Sequence, residues 1–395
     1  MLRFGVVALS LSCALLAGCS SNSPADTDAP QDSGADPAAH EQPAEPVTIT
    51  TSLRARNVAV DQRLEVVASG GTLRKVTVTS EAGALAGKLT DDGTGWLATD
   101  RLEPGTSYSV KSVAERSDGK RVVKKSSFST DDLTLDEQTY ASVAPLDGET
   151  VGIGMPVIVT FDIPVTDKAS MERHMKVRST PQQKGSWYWF SDTMAHWRPK
   201  TYWKAGTHVA VDLDINSVNA GGGIYGQENR RVQFDIGDAH VYKVNAQTHQ
   251  MKVYNNGTLV RTLPITTGKP GFTTRSGTKV IMEKFLEKQM NSETVGISQD
   301  NPEYYNINDV QYAMRVTNSG EFIHAAPWSV ASQGSANVSH GCTGLSTEDA
   351  RWLYDMTLRG DVVEYTGTDR PMTLDNGYGD WNLPFAEYRT GSALS

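Results

Sequence analysis

The sequence predicts a mainly β protein: two β-sandwiches in tandem, followed by a third β-rich domain that carries one short helix. Three observations lead there. Short alternating segments such as "TLRKVTVTS", "SYSVKSVAE" and "PVIVTFDIPVT" are separated by Gly, Asp-Gly and Pro-Gly turns, and a period of two over such lengths marks half-buried strands. A pattern that begins "WLATDRLEPGTSYSV" at Trp96 returns as "WRPKTYWKAGTHVAV" at Trp197. From about residue 239 the run "HVYKVNAQTHQMKVYNNGTLVRTLPITTG" strings strands around an Asn-Gly turn, a strong hairpin signal.

The first element, residues 1–18, is a secretory signal peptide. "MLRFGVVALSLSCALLAGCSSN" offers a basic Arg3, an apolar run to Gly18 and small residues before Cys19, too short for a membrane span and with no charged stop behind it. "LAGC" resembles the lipobox of bacterial lipoproteins, in which cleavage leaves the cysteine at the new N-terminus and lipid on its sulfur; simple secretion is the alternative. On the lipobox reading Cys13 is discarded and Cys19 carries the lipid anchor. The protein is then expected at the cell membrane, on its extracytoplasmic face. Of three cysteines in 395 residues, Cys342 alone remains free, in a compartment where paired cysteines are the norm.

Residues 19–46 form a tether. Between residues 20 and 46 stand six acids and no Lys or Arg, among Pro, Ala and Ser, a composition with almost nothing to bury and expected to be disordered and extended. The whole chain has 37 Lys+Arg against 46 Asp+Glu, a net charge of −9. Without the tether the remainder is only mildly acidic, so neither nucleic acid nor an anionic surface is the expected partner.

The two sandwiches are placed at residues 47–137 and 138–237. In the repeated pattern the Trp residues, Gly105 and Gly206, Thr106 and Thr207, and Val110 and Val211 fall in step at an offset of 101 residues, the size of an immunoglobulin-like domain. Chance sharing of a Trp and a Gly-Thr turn between unrelated sheets is the competing explanation. Neither half carries a cluster of titratable side chains. His174, His196 and His208 are scattered there and read as surface or satisfied histidines.

The third domain spans residues 238–367. Ser346 can cap a helix over 347–358, with Asp349 in the capping-box position and Gly360 as its stop; Ala350, Leu353, Tyr354 and Thr357 then share one face. "DVVEY" returns as a strand, and residues 368–395 form a C-terminal extension expected to pack on this domain.

Cys342 lies in "VSHGCTGLS", just before that helix, with His340 two residues and His324 eighteen residues upstream. Nearby histidines and a helix N-terminus both lower a thiol's pKa from its usual value of about 8.5. Gly341 lets the backbone approach a substrate and leaves amides free for an oxyanion. A nucleophile, a base and an oxyanion pocket are thus within reach in sequence. A His/His/Cys metal site offers only three ligands, without the spacing of structural zinc. A papain-like peptidase has its cysteine before its histidine, the reverse of this order. An inert buried thiol prefers apolar neighbours to Ser-His-Gly.

The histidine, the intervening loop, "SHGC" and the helix after it resemble the signature of the L,D-transpeptidases, the YkuD-type enzymes that cross-link peptidoglycan. The resemblance covers roughly 239–367. "NSGEFIHAAPWSV", the late "GDWNLPF" at 379–385 and the two preceding immunoglobulin-like domains are similar to the lipoprotein branch of that family in actinobacterial-type cell walls. The fold implied for the third domain is the YkuD β-sandwich.

The resemblance implies Cys342 as nucleophile and His324 as general base, its imidazole held by the carbonyl of Ala325. His340, Gly341 and Cys342 would supply oxyanion amides. Ser319 and Gly320 match positions that contact the donor stem, Tyr304 or Tyr305 matches a substrate-facing tyrosine, and a lid between about 285 and 312, including Met290, would flank the tunnel. The implied reaction takes a tetrapeptide stem as donor, releases D-Ala through a thioester and passes the acyl group to a neighbouring stem as a 3→3 cross-link. It needs no metal or organic cofactor. A monomer is expected, and carbapenem-type β-lactams are the implied covalent inhibitors. One departure stands out: the family commonly has Asn two residues after the cysteine, where this chain has Gly344, so a side-chain amide for loop or substrate is missing. Loss of such a bond costs about 1–3 kcal/mol when its partner stays buried, unless the loop has adapted to glycine. A peptidoglycan-binding protein with a weak or decayed site, and an L,D-carboxypeptidase that uses water as acceptor, are the alternatives.

Overall fold

The structure, a computed structural model, describes residues 45–395. The expected signal peptide, Cys13, Cys19 as the expected lipidation site and nearly all of the expected tether lie outside the described residues.

Two four-stranded sheets make the first sandwich. One runs in the order Thr48–Thr51, Glu65–Ser69, Gly95–Ala98, Gly87–Leu89, the other Gly83–Ala84, Thr72–Ser80, Ser107–Glu115, Arg121–Ser129. Alternation decides which side chains turn inward: Tyr108, Val110 and Ala114 are buried and pack with Val66, Trp96 and Phe128. The second sandwich has the same plan, with sheets Ala141–Ala144, Val157–Phe161, Met194–Pro199, Gly185–Trp189 and Thr150–Val151, Arg230–Ile236, His208–Leu213, Met175–Thr180. The repeat has a structural reason. Trp96 and Trp197 are each buried in a core, Val110 and Val211 face inward, and Gly105 and Gly206 take left-handed backbone angles of φ 56° and 72° at the turn before the same strand.

The third unit is also a two-sheet structure. Its five-stranded sheet runs Thr258–Pro264, Gln250–Asn255, His240–Asn245, Val362–Thr366, Gly277–Val280; the four-stranded sheet runs Glu283–Asn291, Asn306–Arg315, Phe322–Ala325, Thr343–Leu345. Asn256 and Gly257 both have positive φ, as the Asn-Gly hairpin turn requires. Tyr242, Val253, Met314, Ile323, Leu345 and Val363 belong to the core.

The helix spans Thr347–Met356, and Ser346 caps it by accepting from the Asp349 amide at 3.1 Å. Ala350, Leu353 and Thr357 are buried and Tyr354 packs partly against the core. Gly360 does not stop this helix. The chain leaves helical geometry at Thr357, whose hydroxyl donates to Leu353 O at 2.6 Å. Gly360 instead permits a close approach to the second sandwich: a Cβ there would meet Met155 Cβ at 2.6 Å and Gly152 N at 2.9 Å.

The segment 368–395 reaches further than the third unit. Asn382 bonds the backbone of Thr278 in that domain, but Asp380 pairs with His196, Trp381 donates to Gly154 O, Arg198 donates to Leu383 O, and Glu172 accepts from the Ala393 amide. The extension therefore ties the second sandwich to the third unit. His196 is buried in this contact, His208 pairs with Asp235, and His174 lies against Arg101 and Asp214.

Candidate active site

Phe322–Ala325 and Thr343–Leu345 pair in parallel, with Ile323 opposite Thr343 and His324 opposite Gly344. This register carries His324 to the residues that follow Cys342. The imidazole is buried, and its Nδ1 lies 2.7 Å from Ala325 O; donation to that carbonyl leaves Nε2 as the proton acceptor.

Ahead of the strand, the Ser339–Cys342 loop is closed on itself. Ser339 Oγ donates to Cys342 O at 2.6 Å and accepts from the Gly341 amide at 3.1 Å. Thr274 Oγ1 donates to Gly341 O at 2.7 Å. Gly341 sits at φ 121°, a backbone angle suited to glycine. The Gly341 amide, expected to face substrate, is thus engaged by Ser339. The amides of His340 and Cys342 have no acceptor among the described residues.

Cys342 is half-buried and opens on two cavities. One, of 450 Å³, is lined by His324, Trp328, His340, Met290, Tyr305 and Ile307 among others. The second, of 290 Å³, is lined by Lys288, Arg315 and Gly320 and shares Met290, Tyr305 and Cys342 with the first. The hairpin Glu283–Asn291/Asn306–Arg315 and its connection wall both cavities with Met290 and Tyr305, in the stretch expected to be the lid. Tyr305, not Tyr304, lines both cavities, with its ring 5.0 Å from that of His340. Gly320 O is 3.7 Å from Cys342 Sγ. Ser319 is exposed and tied by its amide to Asn376 at 2.9 Å, and it lines a smaller neighbouring cavity with Gly320 and Gly341.

The thiol is not acidified. Burial pushes Cys342 up to about 11, only partly offset by a hydrogen bond that the sulfur accepts from the Phe322 backbone amide. The same desolvation lowers His324 below its ordinary value, against the opposing bond to Ala325. Each group is neutral near pH 7, so there is no imidazolium to pair with a thiolate. The helix does not begin until Thr347, beyond the strand Thr343–Leu345, and a helix end acts only within its terminal turn.

The missing amide at Gly344 leaves no gap. Gly344 N donates to Thr266 O at 2.9 Å and Gly344 O accepts from Thr266 N at 3.1 Å. A Cβ on Gly344 would meet Thr266 Cγ2 at 2.9 Å and Ala326 Cβ at 3.0 Å. An amide does stabilise this loop, from the other side of Cys342: Asn337 accepts from Thr267 N and Oγ1 at 3.1 and 2.8 Å and donates to Ala246 O at 2.9 Å.

Sequence reasoning passed over several residues. Glu303, on the lid, accepts from Lys269 Nζ at 2.6 Å and pairs with His340 Nε2 at 2.8 Å. Trp328 is exposed at the cavity and its ring lies 6.0 Å from His324. Lys279 and Glu321 form a buried pair beside the loop. The signal for the last two is a charge set inside apolar runs, "TKVIM" and "EFIHA".

Residues 239–364 match the L,D-transpeptidase catalytic domain (YkuD), and residues 55–219 match the bacterial Ig domain. L,D-transpeptidase 2 of Mycobacterium tuberculosis is 34% identical over 349 residues, covering 88% of this chain and 85% of that protein. L,D-transpeptidase 5 of the same organism is 33% identical over 361 residues, covering 89% and 78%. Among solved structures, an L,D-transpeptidase in complex with imipenem is 36% identical with a TM-score of 0.52, over 58% of this chain and 99% of that one.

Proposed function

The chain belongs to the L,D-transpeptidase family, and on that basis we propose that it forms 3→3 cross-links in peptidoglycan through a thioester on Cys342. One observation carries the reading: the parallel register that sets an Nδ1-anchored His324 beside Cys342, at a thiol open to two cavities.

Nε2 of His324 takes the thiol proton as sulfur attacks the carbonyl of the third residue of a tetrapeptide stem. A neutral thiol and a neutral imidazole require that transfer to accompany attack, so fixed geometry matters more than a pre-formed ion. The amides of His340 and Cys342 receive the oxyanion. Collapse breaks the bond to D-Ala, whose nitrogen takes the proton from His324, and leaves the thioester. The side-chain amine of a neighbouring stem then attacks, its proton passes to His324, and the proton returns to sulfur as the thiolate leaves. The thioester conserves the energy of the broken peptide bond, which suits a compartment without ATP. Two cavities that meet at Cys342 allow donor and acceptor to arrive separately. The relative solved with imipenem supports carbapenems as acylating inhibitors of Cys342. The lipid on Cys19 would hold the enzyme at the outer face of the membrane.

The test is to incubate the purified protein, without its signal peptide, with a disaccharide-tetrapeptide and follow mass. A cross-linked dimer is expected. A trimmed tripeptide indicates a carboxypeptidase, and unchanged substrate a binding protein. Cys342→Ala should abolish both product and carbapenem adduct while keeping the melting temperature; an adduct on the variant would place the nucleophile elsewhere.

A further inference from the structure

Beside the nucleophile's loop lies a carboxylate that ordinary chemistry would keep away. Glu321 is 5% exposed and Lys279 0%. The Glu321 carboxylate accepts from the Arg275 amide at 3.1 Å, from Arg275 Nη1 at 2.9 Å and from Lys279 Nζ. Its Cγ would lie 3.8 Å from a Cβ on Gly341, so the side chain stands directly against the residue before Cys342. This carboxylate ties the residue-275 loop and the Gly277–Val280 strand to the start of the Phe322–Ala325 strand, and so braces the site. An anion in that place also opposes the negative charge that sulfur acquires during attack.

We propose that Lys279 is a positioning residue for Cys342: together with Arg275 it cancels the charge of Glu321, so that the loop is braced by a carboxylate without that carboxylate opposing the thiolate.

The ammonium is built in for this purpose. Lys279 Nζ sits 3.7 Å from the centre of the Tyr365 ring, and the Tyr365 hydroxyl bonds Thr343 Oγ1 at 2.8 Å, which connects the cation's platform to the residue after the nucleophile. Burial lowers Lys279 to about 8, and the Glu321 charge is the main influence that holds the proton on it. On the thiol, Glu321 acts upward, Lys279 and Arg315 downward. The other titratable groups facing the sulfur are His324, His340 and Tyr305 in the first cavity, Lys288 in the second and Tyr365 on the sheet side. None of these places a fixed charge against Glu321. The inference deepens the reading of Cys342 as the nucleophile.

The test is the pH dependence of Cys342 alkylation by iodoacetamide, which needs only the thiolate and so reads the charge effect whether or not the transpeptidase reading stands. Lys279 carries its charge only below about pH 8, so its effect is read near neutrality: Lys279→Met should slow alkylation at about pH 7 about tenfold. Glu321→Gln should lower the midpoint, because Arg275 stays charged. Lys279→Met/Glu321→Leu should restore the rate at about pH 7 to the wild-type value or above, since Arg275 is then the only charge left of the three. A folded Lys279→Met that alkylates near neutrality as fast as the wild type, or a double variant as slow as the single, overturns the proposal. Where Lys279→Met does not fold, Glu321→Gln decides alone: an unchanged midpoint there also overturns it.

Discussion

His324 faces Gly344 across the parallel pairing of Phe322–Ala325 with Thr343–Leu345. That register sets an imidazole beside a thiol eighteen residues away in sequence. It also means that whatever occupies position 344 is wedged between Thr266 and Ala326, next to the proposed base.

Gly344→Asn should therefore lower activity, although it restores the side chain common in the family. Its Cβ would press on Ala326 Cβ at 3.0 Å and Thr266 Cγ2 at 2.9 Å, and neither can swing away as the end of a long side chain could. Overpacking of this kind costs about 1–3 kcal/mol. A lower melting temperature and slower single-turnover acylation by imipenem are expected; an equal or faster rate would show that the loop yields at no cost.

The acylation rate should fall on the acid side only. A depressed His324 remains the neutral base until the pH drops below the ordinary imidazole value of about 6.5, because burial opposes its protonation. The Cys342 thiol, pushed up to about 11, stays protonated throughout the neutral range. Stopped-flow acylation should thus be flat from about pH 7 to 8 and decline with a midpoint below 6.5. A rate that climbs steeply between 7 and 8 would indicate a titrating free thiolate instead.

These two predictions separate what local sequence carries from what it does not. The Asn-Gly hairpin, the Ser346 cap and the Ser-His-Gly-Cys run are each written within a few residues, where turn and cap chemistry is local. The pairing of Trp96 with Trp197 was legible because a repeated fold repeats its core. The thiol's pKa was not, since it depends on burial by segments remote in the chain. Nor were the Lys279–Glu321 and Glu303–His340 contacts, which join residues 42 and 37 positions apart. Gly360 misled for a related reason: a glycine after a helix reads as a stop, whereas this one serves a contact with Met155 and Gly152 of another domain.

Anchoring is tested in the bacterial host. Metabolic labelling with a fatty acid should tag the full-length protein, and Cys19→Ala should remove the label and slow signal cleavage. Recovery of wild-type protein unlabelled and free in the medium would favour simple secretion.

The lid should be fastened by Glu303. Its carboxylate takes a bond from Lys269 and another from His340, and these partners, Lys269 first, hold it below the usual carboxylate range. His340 is in turn flanked by Phe272 and Tyr305, with ring centres 4.6 and 5.0 Å away. Glu303 thereby clasps His340, two residues before Cys342. Because Glu303 is on the surface, the clasp is electrostatic and screened by salt. Glu303→Gln weakens both bonds without changing size, so amides of residues 296–306 should exchange hydrogen faster, and 1 M salt should move the wild type in the same direction. The variant should also acylate more slowly, since Tyr305 and His340 no longer hold one arrangement against the substrate. Hydrogen-exchange mass spectrometry reads the first effect directly: exchange in that segment as slow in the variant as in the wild type would mean that packing of Phe272 and Tyr305 on His340, not charge, keeps the lid in place.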